Sequence, residues 1–139
     1  MKRFIVFVTA ILLVWPAVGS QRRALTRKIP CKTEVNADSC YWTHGRLTYG
    51  NGTPALRLWK IGTNRLLGIY SGPSVSTRGD DNGDNEHPQL PSNDSKQLNP
   101  GKSIIYADFE VCPLQPERPG VMQAACIEAA KNIFVETLE

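Results

Sequence analysis

Two histidines, His44 and His87, and four cysteines, Cys31, Cys40, Cys112 and Cys126, are the only imidazoles and thiols in the chain. Hydrolysis or group transfer needs a nucleophile, a base and a charge-stabilising group within reach of one another. The spacing here assembles none. His44 lies inside an alternating apolar stretch, where an imidazole is packed and hydrogen-bonded more often than it is catalytic. His87 precedes Pro88 in a run of loop residues. Carboxylates pair as Asp80-Asp81 and as Asp108 with Glu110, the first in that same loop composition and the second on the polar side of a strand pattern. The chain is read as a non-enzyme with no cofactor.

Metal motifs fail in the same way. Asp80, Asn82 and Asp84 have the spacing that opens an EF-hand calcium loop, but Asn85 stands where that loop needs glycine and Pro91 where it needs a bidentate Glu. Zinc would want a closely spaced cysteine pair of the C-x2-C kind, and there is none. Arg78-Gly79-Asp80 spells the integrin-binding tripeptide, a three-residue match with a high false-positive rate. Asn51-Gly52-Thr53 and Asn93-Asp94-Ser95 are glycosylation sequons, which carry meaning in a eukaryotic source.

The remaining chemistry is recognition, and it depends on how Cys40 to Tyr70 folds. The stretch alternates and turns as a three-stranded antiparallel meander. Asn51-Gly52 is the strongest short hairpin signal, because a type I′ turn needs positive φ at both central residues. Taken as the turn, it sets Leu47 against Leu56, Arg46 against Arg57, His44 against Trp59 and Trp42 against Ile61. A second turn at Gly62-Thr63 sets Leu58 against Leu67 and Trp59 against Leu66. One face is then Leu47, Leu56, Leu58, Leu67 and Ile69, a core. The other carries Trp42, His44, Arg46, Arg57, Trp59, Ile61, Leu66 and Tyr70, too apolar for an ordinary wet face. Two arginines opposite each other are unfavourable unless an anion or a carboxylate lies between them. Either Asp108 or Glu110 neutralises them under a second layer, or Trp42, His44, Arg46, Arg57 and Trp59 form a ligand-binding surface for an anionic, sugar or peptide ligand.

Residues 71–102 are rich in Gly, Pro, Ser, Asn and Asp, with Val75, Leu90 and Leu98 their only aliphatic side chains. That composition reads as a flexible insert. Order returns at Ser103: Ile105, Ala107, Phe109 and Val111 alternate with polar neighbours as a half-buried strand. Pro113 to Gly120 is a proline-stiffened loop. Residues 122–131 suit a short helix by their alanines, yet Asn132 to Val135 prefer a strand. Placing Cys112 opposite Cys126 sets Val111 against Ile127 and Phe109 against Ala129 on the core side, which favours strand throughout. It also sets Glu110 against Glu128, a clash that asks for an offset. On this geometry Cys112 bonds Cys126, and Cys31 pairs with Cys40 by elimination.

Lys2 and Arg3, the apolar run from Phe4 to Trp15 and the small residues Ala17, Val18, Gly19 and Ser20 have the three parts of a signal peptide over residues 1–19. The run is too short to span a bilayer, so no transmembrane anchor remains after cleavage. The 16 basic residues less Lys2 and Arg3 leave 14 against 13 acidic ones, and four of these 14, Arg22, Arg23, Arg27 and Lys28, cluster at the start of a basic arm over residues 20–39. A nucleic-acid partner is excluded, since the body from residue 40 carries more acid than base. Residues 40–139 are expected to form a single β domain, a small antiparallel sandwich or barrel of about six to seven strands with a possible short C-terminal helix.

The strings His44-Gly45-Arg46-Leu47, Asn51 to Trp59, Gly62-Thr63 and Leu67-Gly68-Ile69, followed by Phe109 to Pro113, Glu117 to Gln123 and Cys126-Ile127-Glu128, resemble a family of small exported bacterial proteins of unknown function. More loosely, the opening hairpin is similar to that of transthyretin-like, prealbumin-like sandwiches. The resemblance implies secretion or a periplasmic location and brings no activity with it. The functional expectation is an exported, noncatalytic binding or interaction module of the cell envelope or extracellular space. The alternatives are a structural envelope component without a ligand and, further off, a small enzyme or inhibitor.

Overall fold

The computed structural model describes residues 27–75, 86–99 and 101–139. The signal-peptide segment, the Asp80, Asn82 and Asp84 run and the Arg78-Gly79-Asp80 tripeptide lie outside them. Five strands form: β1 (Tyr41–Tyr49), β2 (Leu56–Lys60), β3 (Leu66–Ile69), β4 (Ser103–Pro113) and β5 (Gln123–Thr137), with one helical turn, α1 (Ser92–Ser95), between β3 and β4. They make one mixed sheet in the order β1-β2-β3-β5-β4, and β4 is hydrogen-bonded to β1 as well as to β5. Only β3 and β5 run parallel. The expectation of six to seven strands is therefore corrected to five among the described residues. No second sheet is present among them, and residues 123–131 belong to β5, not to a helix.

Period-two alternation decides which side chains go inside. Leu47, Leu56, Leu58, Leu67, Ile69, Ile105, Ala107, Phe109, Val111 and Ile127 form a single buried cluster, each at most 1% exposed. All five core residues expected from the meander are in it. The β2–β3 register is also the expected one, with Leu58 opposite Leu67 and Trp59 opposite Leu66, although Lys60 and Arg65 close a four-residue loop there instead of a two-residue turn.

The β1–β2 hairpin differs from expectation by two residues. Leu47 faces Leu58, Arg46 faces Trp59 and Thr48 faces Arg57, and the loop runs from Gly50 to Ala55, whose backbone N–H and C=O close it. The loop is centred on Gly52-Thr53 instead of Asn51-Gly52, and Pro54 stays inside it. Because the shift is even, every side chain keeps its face while its partner changes.

In the β4–β5 hairpin Cys112 stands opposite Cys126 and Val111 opposite Ile127, as expected. A register shift then intervenes, so that Glu110 meets Ala129 and Phe109 meets Ala130. The extra residue is Glu128, which relieves the clash of two glutamates. A second irregularity follows at Asn132, whose φ of 55° is one that Asn tolerates better than other side chains.

Neither disulfide is the expected one. Cys31 bonds Cys126 and Cys40 bonds Cys112. Cys40 immediately precedes β1, which pairs with β4, and the Tyr41–Val111 register carries it directly against Cys112. Cys126 is then met by the N-terminal segment. That segment is held against the body along its length: the Arg27 guanidinium donates to the carbonyls of Ile29, Ser71 and Ile127, and the Gln89 side-chain oxygen accepts from the amides of Lys28 and Ile29. Gly72 lets it pass, since a β-carbon there would collide with the backbone of Pro30.

Candidate functional site

The five residues put forward as a binding surface all belong to β1 and β2, and all five alternate with the buried core positions. Trp42, His44 and Trp59 are exposed, and Arg46 and Arg57 half-buried. The structure does not bring the two arginines together. Arg57 lies two residues along from Arg46's partner and folds back on its own loop, donating to the carbonyls of Asn51 at 2.6 Å and Pro54 at 3.2 Å. Asp108 and Glu110 neutralise neither arginine. Asp108 pairs with His44 Nδ1 at 2.9 Å and accepts from the Asn132 amide at 2.7 Å, and these two hydrogen bonds, with the neighbouring charge of Lys131, hold its carboxyl below the usual range. Glu110 pairs with Lys32 at 2.6 Å, which raises the lysine's pKa.

Arg46 instead occupies the middle of a row that crosses all five strands: Leu66, Trp59, Arg46, Tyr106 and Phe134, each opposite the next. Among the described residues no carboxylate pairs with its guanidinium. Trp59 is 39% exposed, its indole N–H donating to the Thr63 carbonyl at 2.8 Å, so the ring is anchored at its polar end and open on its side. Phe134 is 64% exposed and its ring lies 6.2 Å from that of Tyr106. The next row is His44, Asp108 and Lys131, and Lys131 Nζ sits 4.2 Å over the Trp42 ring. Trp42 is thus already occupied by an internal cation, whereas no cation among the described residues stacks on Trp59. Chemically, the Trp59, Arg46 and Tyr106 stretch offers two flat apolar walls around one charged planar donor.

Tyr106 is the member that sequence reasoning left out, although its alternation with Ile105 and Ala107 pointed it outward. Phe134 lay beyond both irregularities of β5, which together restore its outward face but move its partner by two, from Ile104 to Tyr106.

Two other places have chemical character. A groove of about 540 Å³ lies over β3, lined by Pro54, Gly68, Tyr70, Arg118, Val121 and Met122 among others. Gly68 forms part of its lining, and a β-carbon there would come within 2.6 Å of the Pro54 ring. The strings around Pro54 and Glu117 to Gln123, far apart in sequence, meet here. Separately, Asp94 of α1 is fully buried with neither carboxyl oxygen hydrogen-bonded among the described residues, and burial raises its pKa to about 7. Leu98, next along, belongs to the core cluster, and Leu90 packs against it. This part of the 71–102 insert is therefore built onto the domain.

A metal reading of the cysteines is displaced by the two bonds, which leave no free thiol. Comparison with known protein families, curated proteins and solved structures returns no match.

Proposed function

We propose that the chain is an exported, noncatalytic binding module whose outward sheet face takes an acidic sugar. The observation that carries this reading is Arg46, a half-buried guanidinium set between Trp59 and Tyr106 on a face where, among the described residues, no second layer covers it and no carboxylate pairs with it. A guanidinium in that setting is suited to a bidentate carboxylate, and flanking rings stack on the apolar faces of a pyranose. Two disulfides support an oxidising compartment, in keeping with the signal-peptide pattern. Of the five residues first put forward, Arg46 and Trp59 bind, Arg57 shapes the loop, and His44 and Trp42 complete a neighbouring internal network.

The test is intrinsic tryptophan fluorescence titrated with uronate-containing oligosaccharides, with neutral oligosaccharides as controls. Saturable quenching by the acidic set should disappear in Arg46→Ala and Trp59→Ala while both variants melt like the parent. Failure of every acidic oligosaccharide to bind, or equal binding by Arg46→Ala, overturns the reading. Retention of acidic peptides alone would replace the sugar with a peptide.

A further inference from the structure

β5 is the longest strand and the least evenly partnered. β4 accompanies it along its length, but β3 pairs only with Gln123 to Ala125. Beyond that point side chains meet two of its outward carbonyls, Arg27 at Ile127 and Asn93 at Ala130. From Lys131 to Thr137 no backbone hydrogen bond from another described strand reaches the side away from β4.

The direction of each amide in this segment follows from its ladder. Leu138 N–H donates to the Lys102 carbonyl, which continues the register that pairs Phe134 with Tyr106 and Glu136 with Ile104. In an antiparallel ladder bonded pairs alternate with unbonded ones. Phe134, Glu136 and Leu138 thus turn their backbone groups toward β4, and Ile133, Val135 and Thr137 turn theirs to the open edge. Such an edge is a template for another strand.

We propose that the occupant is a second copy of this chain, joined by antiparallel pairing of β5 with its counterpart about a two-fold axis at Phe134. The register is self-complementary. It sets Phe134 against its symmetry mate, Ile133 against Val135 and Asn132 against Glu136, and brings Lys131 diagonally toward the mate's Glu139, with no like charges directly opposed. The two-fold preserves the faces, so the outer row of each copy ends on the same pair of phenyl rings. Phe134, the most exposed side chain of that row, is thereby covered.

Sedimentation equilibrium of the disulfide-intact protein tests this. The native chain should associate to twice the monomer mass as its concentration is raised toward about 100 µM. Phe134→Glu and Phe134→Lys should each remain monomeric, because each opposes like charges at the axis. An equimolar mixture of the two should recover the dimer. Val135→Pro, which removes an edge-facing N–H and none of the β4 ladder, should also dissociate it while keeping the melting transition. A native chain monomeric throughout the range overturns the proposal, as does a dimer that survives Phe134→Glu. If the single variants are monomeric but their mixture does not pair, the contact at Phe134 is wrong.

Discussion

Asp94, in the insert that packs on the apolar core, and Asp108, on the outer face, are carboxylates of one small domain in opposite circumstances. Asp94 is fully buried and its carboxyl has no hydrogen-bond partner among the described residues, so removal from water dominates its environment and its pKa rises to about 7. Asp108 meets Asn132 and His44 and is shifted the other way. The buried side of this protein is where single groups decide stability. The outer side, where polar groups satisfy one another in water, is free to vary for recognition.

The largest test of that contrast lies at the buried cystines. Replacing Cys31 and Cys126 together by serine opens a loop that the intact Cys40–Cys112 bond shortens to about 25 residues, which should lower stability by about 3–4 kcal/mol in the chain-entropy account, read from urea denaturation, with the burial of two hydroxyls adding to it. An effect below the scatter of the melt would mean that the N-terminal segment is held by its hydrogen bonds alone.

Asp94 comes next, and the sign is unusual. A carboxyl whose folded pKa lies above its unfolded one binds protons more tightly when folded, so its contribution is most favourable below about pH 4 and drains away as pH rises to about 7. Asp94→Asn should leave stability at pH 4 nearly unchanged and raise it at pH 8 by roughly 3–4 kcal/mol. Parallel pH profiles for parent and variant would show that the carboxyl has a partner after all.

Arg57→Ala should lower stability by about 1–2 kcal/mol, since the guanidinium ties down the Asn51 and Pro54 carbonyls. Two facing arginines would have given the opposite sign, so a stabilised variant would reinstate the two-residue turn. At the small end, Trp42→Ala and His44→Ala should each leave the melting temperature within error, because both lie on the exposed network. A clear loss at either would erase the difference between the faces.

Legibility in the sequence followed the same division. Alternation marked the core residues of β1 to β4 and the outward position of Trp59, because a side chain's face depends only on parity. Partners depend on where a loop is centred: the first hairpin is centred on Gly52-Thr53, one residue past the Asn-Gly signal, whereas the second is centred on Gly62-Thr63 as read. Cys112 and Cys126 were correctly set opposite each other, yet each bonds a cysteine ahead of β1, in a segment with no periodic pattern to show its path. Asp94 left no signal, since one helical turn of Ser-Asn-Asp-Ser has no apolar stripe. Only Leu90 and Leu98 hinted that the insert reaches the core.

The cystine pattern also bears on the order of events during biosynthesis. Both bonds join residues ahead of the first strand to β4 and β5, and β3 meets β5 only after more than 50 intervening residues have been made. A chain emerging from its N-terminus exposes Cys31 and Cys40 together, nine positions apart, long before either native partner exists. The nearest bond to form first is therefore the non-native one, and reaching the native pair requires thiolate attack to exchange it. Acid-trapped oxidation intermediates should be rich in the Cys31–Cys40 link, and a disulfide isomerase should hasten its disappearance. On this order of events, maturation is expected to answer to the supply of exchange catalyst more than to the supply of oxidant.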